Sequence, residues 1–127
     1  MSASGLELGV VGAGNIGGAI AANLIADGHR VAVHDPDATR VALLVDAGAV
    51  AAASAAEVAR QSDITFLSLP TPDVMEKVAA EWLGGARPGA LLVDLSTNAP
   101  AMIRAVGARL AAAGRQLLEV PLTGGAP

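Results

Sequence analysis

Leu8-Gly9-Val10-Val11-Gly12-Ala13-Gly14-Asn15-Ile16-Gly17 passes from an apolar run through spaced glycines into residues with helical periodicity. The run Leu6 to Val11, ended by glycine, reads as a buried strand. Beyond it, Ile16, Ile20, Leu24 and neighbouring alanines recur at three to four residues, which predicts a helix with that face on the sheet. Arg30 to His34 is a second apolar run, entered through Gly28-His29 and left at Asp35-Pro36, so the three segments form a βαβ unit.

The alternation continues outward from this unit. Asp37 to Ala47 reads as a helix stopped by Gly48, and Ala49 to Ala52 as a short strand. Ser54 with Glu57 forms a capping-box pattern for a small helix. Ile64 to Leu69 is the next buried strand, ended by Pro70 and Pro72, and Asp73 stands at the N-cap or first turn of a helix whose Met75, Val78, Ala79 and Trp82 share one face. Ala90 to Leu95 is another strand. Asn98-Ala99-Pro100 opens a helix with Ile103, Val106 and Leu110 inward and Gly114 at its end, and Gln116 to Val120 is the last strand. Strand and helix alternating throughout predict an α/β fold: a right-handed, doubly wound parallel sheet.

Composition narrows the function classes. A chain of 127 residues fits a single domain. Hydrophobic residues are 53% but aromatic residues 2%, so the core is built from Ala, Val, Leu and Ile, which suits helices lying on a parallel sheet. A net charge of -4 offers no basic stripe for a phosphate backbone, which argues against a nucleic-acid partner. Leu8 to Ala26 carries no charge, yet its glycines, Asn15 and Asn23 read as strand, turn and helix rather than a membrane span or signal segment. The absence of cysteine excludes disulfides, a thiolate nucleophile and a Cys-ligated metal, and is compatible with a cytoplasmic protein. No metal site is assigned.

Gly12, Gly14 and Gly17 stand at the G-x-G-x-x-G spacing. The first glycine permits the tight turn, the second lets a pyrophosphate approach the backbone, and the third allows helix and strand to pack closely. Amides at the helix start then face the phosphate charge. Asp35 ends the next strand, near the roughly 20-residue offset of a ribose ligand, so the whole reads as a Rossmann-type dinucleotide site. A carboxylate there accepts hydrogen bonds from ribose hydroxyls and repels a 2′-phosphate, so NAD is expected over NADP; Arg40 would soften that preference on reaching the 2′ position.

The glycine turn, Ser68-Leu69-Pro70, Asp94-Leu95-Ser96-Thr97 and Pro121-Leu122-Thr123-Gly124-Gly125, in that order, resemble the N-terminal domain of the 3-hydroxyisobutyrate dehydrogenase family, β-hydroxyacid dehydrogenases related to 6-phosphogluconate dehydrogenase. The resemblance covers essentially the whole chain. It implies that Asn15 and Ile16 line the pyrophosphate turn and Asp35 holds the adenosine ribose. It further implies that Leu69, Pro70 and Val74 flank the cofactor, and that Thr97 lies near the nicotinamide ribose. Thr123, Gly124 and Gly125 would form the substrate turn, with Thr123 where the family usually has Ser.

The family's catalytic lysine, on a helix beyond that turn, has no counterpart. Lys77 is the only lysine and reads as a solvated residue on its helix, so no catalytic residue is assigned. Residues 1–127 are therefore expected to be a dinucleotide-binding domain without the family's C-terminal helical catalytic domain, and the end at Leu122 to Pro127 reads as an interruption. The resemblance implies hydride transfer between a nicotinamide cofactor and a small β-hydroxyacid in the full-length protein. A domain standing alone would expose an apolar edge, so a homo-oligomer is also expected. Two readings stand beside this one: part of an imine reductase-like, NADP-dependent enzyme, and a non-catalytic NAD-sensing module.

Overall fold

The computed structural model describes residues 6–96 and 100–120. In it, β1 (Glu7–Val11), α1 (Asn15–Ala26) and β2 (Arg30–His34) form the first βαβ unit. The chain continues through α2 (Ala38–Ala47), β3 (Val50–Ala51), α3 (Ala55–Arg60), β4 (Ile64–Leu67), α4 (Pro72–Gly85), β5 (Leu91–Asp94), α5 (Pro100–Ala112) and β6 (Gln116–Glu119). The sheet has the order β3-β2-β1-β4-β5-β6 with every neighbouring pair parallel. Val10 is thus registered against Val33 on one side and Phe66 on the other. The strand order reverses between β1 and β4, which creates a crevice at their carboxyl ends.

Each sheet face carries its own core, as a doubly wound architecture requires. Leu8, Val10, Val31 and Val33 pack with Ala21 of α1 and Leu44 of α2. On the opposite face, Val11, Leu67 and Leu92 pack with Val58 of α3, Met75 and Trp82 of α4, and Val106 and Leu110 of α5. Small aliphatic side chains let the helices lie close to the sheet, and Trp82 fills the volume that remains. No helix among the described residues is long and apolar enough to cross a membrane.

Local chemistry sets the helix starts. Asp37 caps α2 by accepting from Thr39 N–H at 2.9 Å. Ser54 caps α3 by accepting from Glu57 N–H at 3.1 Å. The Glu57 carboxylate pairs with Arg60 at 2.9 Å, and the first amide of α3, Ala55 N–H, donates to Glu81 of α4 at 2.8 Å. Thr71 caps α4 through Val74 N–H at 3.3 Å, while Asp73 falls in the first turn behind Pro72.

Two expectations are corrected, one about the core side of α1 and one about the end of β4. The α1 residues buried on the sheet are Gly17 and Ala21, with Leu24 and Ile25 beside them, whereas Ile16 is 43% exposed. The close approach at Gly17 rotates the helix so that its glycine-alanine side, rather than Ile16 and Ile20, meets β1 and β2. β4 also ends two residues earlier than expected, because Leu69 N–H leaves the ladder for the Ser96 hydroxyl.

Candidate cofactor site

Gly12 turns the chain out of β1 at φ +95, and its N–H donates to His34 O at 3.0 Å, tying the turn to the end of β2. A Cβ on Gly12 would overlap the Ser68 carbonyl oxygen, and one on Gly17 would overlap the Gly12 carbonyl oxygen. The first and third glycines therefore let β1, β4 and α1 converge. Gly14 behaves differently, since the nearest atom to its hypothetical Cβ is Arg40 Nη1 at 3.4 Å. It is the N-cap of α1, makes no side-chain capping bond, and is followed by a first turn without acidic residues. Helix-start amides not taken up by a side-chain cap suit a phosphate.

These residues border a cleft of about 700 Å³ at the carboxyl ends of β1, β2 and β4. Gly12, Gly14, Asn15, Ile16, Asp35, Leu69, Pro70 and Val74 all line it, while Gly17 lies buried behind. Eight residues singled out from separate parts of the sequence are thus brought to one concavity. Thr97, Thr123, Gly124 and Gly125 lie outside the described residues.

Asp35 is held more firmly than the sequence indicates. Oδ2 accepts from Ala13 N–H at 2.7 Å, inside the glycine turn, and Oδ1 accepts from Asp37 N–H at 2.7 Å. A carboxylate has about four acceptor sites, so both oxygens retain capacity for ribose hydroxyls. Asp35 therefore shapes the glycine turn and offers acceptors to the cleft at once. His34, beside it in the lining, is oriented by its Nδ1 contact with Ala52 O at 3.0 Å.

The cleft also contains two cationic side chains: Lys77, which its sequence pattern places on a solvated face, and Arg40, whose reach toward the 2′ position the sequence leaves open. Lys77 is exposed, as expected of a solvated residue, but lines the cleft with Val74, Val78 and Glu81 on one side of α4. Their three-to-four-residue spacing, next to the Met75-Ala79-Trp82 core side, is the signal that marks them. Arg40, in the first turn of α2, also lines the cleft; its Nε lies 3.7 Å from Asp37 Oδ2 and its side chain is 53% exposed.

A glycine turn between β1 and α1, an acidic residue at the end of β2 and a cleft at the strand-order reversal define a dinucleotide-binding α/β domain. The family described as the NAD binding domain of 6-phosphogluconate dehydrogenase matches residues 7–127, and the chain belongs to that family.

Several known proteins are similar over most of this chain. The 3-hydroxyisobutyrate dehydrogenase of Pseudomonas aeruginosa is 38% identical over 127 residues, spanning 94% of this chain and 41% of its own length. The solved 3-hydroxyisobutyrate dehydrogenase of Mycobacterium tuberculosis, with L-serine, is 31% identical with a TM-score of 0.89 over 98% of this chain and 42% of that one. A variant imine reductase from Myxococcus stipitatus in complex with NAD+ is 27% identical with a TM-score of 0.83, covering 90% of this chain and 40% of that one. The chain thus spans about two fifths of the length of these relatives.

Proposed function

We propose that residues 1–127 are the cofactor-binding domain of an oxidoreductase of the 3-hydroxyisobutyrate dehydrogenase type, with NAD preferred over NADP and a small β-hydroxyacid as substrate of the full-length protein. The observation that carries the cofactor reading is Asp35, fixed by two backbone amides at the lip of the cleft. The α1 amides and Gly14 would hold the pyrophosphate, Asp35 the adenosine ribose, and Leu69, Pro70 and Val74 the flanks. The bound nicotinamide would supply or accept the hydride, while the protein contributes position and electrostatics. Thr97 is proposed near the nicotinamide ribose and Thr123-Gly124-Gly125 as the substrate turn. The proton donor is assigned to a segment beyond this chain, as the similarity to longer dehydrogenases supports.

Calorimetric titration with NADH and NADPH tests this reading, and Asp35→Asn is its sharpest variant. The amide is uncharged and exchanges one acceptor oxygen for a donor. NADH affinity is expected to fall about tenfold, the equivalent of one hydrogen bond to a charged group, and NADPH affinity to fall less, because both share the loss of one backbone bond at Asp35 while only NADPH gains from removal of the charge. An unchanged NADH/NADPH ratio would overturn the role given to Asp35.

A second reading, acceptance of NADP as well, is favoured by one observation: Arg40 stands over Gly14 in the same cleft as Asp35. A guanidinium there can pair with a 2′-phosphate and offset the repulsion from Asp35. Arg40→Ala is then expected to weaken NADPH roughly fivefold to tenfold and NADH much less. Equal losses for both cofactors would place Arg40 on the pyrophosphate and remove the support for NADP.

A further inference from the structure

One wall of the cleft is held by side chains that do not line it. At the end of β4, Ser68 N–H still donates to Val11 O at 3.1 Å, but Leu69 N–H turns out of the ladder and donates to Ser96 Oγ at 2.8 Å. Ser96 is 8% exposed and is not among the cleft-lining residues. Its own N–H donates to Oδ1 of Asp94 at 2.9 Å, and Asp94 is wholly buried at the end of β5. Leu95 N–H donates to Leu67 O at 2.9 Å, so the ends of β4 and β5 lie side by side where this clamp acts.

The position of the clamp in the sheet indicates what it serves. The Asp35 side of the cleft lies at β2 and the glycine turn follows β1. With the order β2-β1-β4-β5, a dinucleotide whose adenosine end sits at Asp35 and whose pyrophosphate sits at α1 must extend its other half toward β4 and β5. Ser68, Leu69 and Pro70, which follow directly on β4, line the cleft on that side. An amide left without its ladder partner needs another acceptor or it draws the turn toward water, and Ser96 supplies that acceptor.

We infer that Ser96, seated by the buried Asp94 carboxylate, is a positioning residue for the nicotinamide half of the cofactor, acting through the Leu69 amide. This rests on the cofactor reading above. It assigns a task to the first part of the Asp94-Leu95-Ser96-Thr97 motif that is separate from direct cofactor contact.

The test compares two ligands that share one end. ADP reaches the adenosine and pyrophosphate positions only, whereas NADH adds the nicotinamide, whose emission reports its surroundings. In the 127-residue chain, Ser96→Ala is expected to weaken NADH about tenfold and to reduce the emission change on binding, with ADP affinity held within about twofold. The hydroxyl-retaining Ser96→Thr is expected to restore most of the NADH affinity. Equal losses for ADP and NADH, or no loss for either, would overturn the inference.

Hydrogen exchange at Leu69 in the unaltered chain provides a measurement independent of how the variants fold. A protected amide supports the clamp, and one exchanging as fast as an open loop removes it. If the unaltered chain binds neither ligand, the cofactor reading itself fails and this inference falls with it; if it binds both and only the Ser96 pattern is wrong, the cofactor reading survives.

Discussion

Gly12→Ala is expected to cost about 3–5 kcal/mol of folding stability and to abolish NADH binding at concentrations that saturate the parent chain. Two independent penalties meet at this position. The φ of +95 is one that an L side chain rarely adopts, and the added Cβ would overlap the Ser68 carbonyl oxygen.

Neither side of that overlap can retreat cheaply. Ser68 is anchored by its N–H bond to Val11 O, and Gly12 by its N–H bond to His34 O, so moving either breaks the join between neighbouring strand ends. Urea denaturation with a parallel NADH titration provides the measurement. Gly84→Ala is the control, because Gly84 lies in α4 with open space around its Cβ direction and should leave stability unchanged or raise it by about 0.5–1 kcal/mol. Parent-like stability and binding in Gly12→Ala would refute the account of the turn.

Trp82→Ala is expected to cost a comparable 3–5 kcal/mol, roughly the range for truncating a buried aromatic residue. Trp82 is fully buried in the core that also contains Met75, Leu92, Val106 and Leu110, and with an aromatic content of only 2% there is little other large side chain to fill the space. Against a typical total of about 5–15 kcal/mol, the loss should lower Tm by on the order of 10–20 °C.

Trp82→Phe should cost much less. The indole Nε1 has no hydrogen-bond partner among the described residues, so replacing the indole by a phenyl ring gives up packing volume but no polar contact. Because Trp82 is the only tryptophan, both variants are followed by circular dichroism rather than by tryptophan emission. Equal costs for the two substitutions would show that the indole nitrogen contributes after all.

The legible parts of this molecule depend on neighbours close along the chain. The apolar run Leu6 to Val11, the glycine spacing after it and the Asp35-Pro36 stop marked β1, the α1 start and the end of β2 to within a residue or two. Asp37 and Ser54 announced their helices because a short polar side chain reaches amides two or three residues ahead. The same reasoning misjudged α1. Periodicity favoured Ile16 and Ile20, but close backbone packing at Gly17 and Ala21 decided which side meets the sheet. Hydrophobicity alone carries no record of how near a helix axis can come to a strand.

By itself, the sequence determined the parallel α/β alternation, the dinucleotide turn and its acidic partner, since each follows from local conformational preference or from fixed spacing along one βαβ unit. Only the tertiary structure decided that Asp35 also grips Ala13, that Arg40 and Lys77 enter the same cleft, and that Ser96 captures the amide of Leu69 from 27 residues away. Those contacts join strand ends made neighbours by the order β3-β2-β1-β4-β5-β6. That order is set by packing both faces of the sheet at once, so it leaves no short-range signature in the chain.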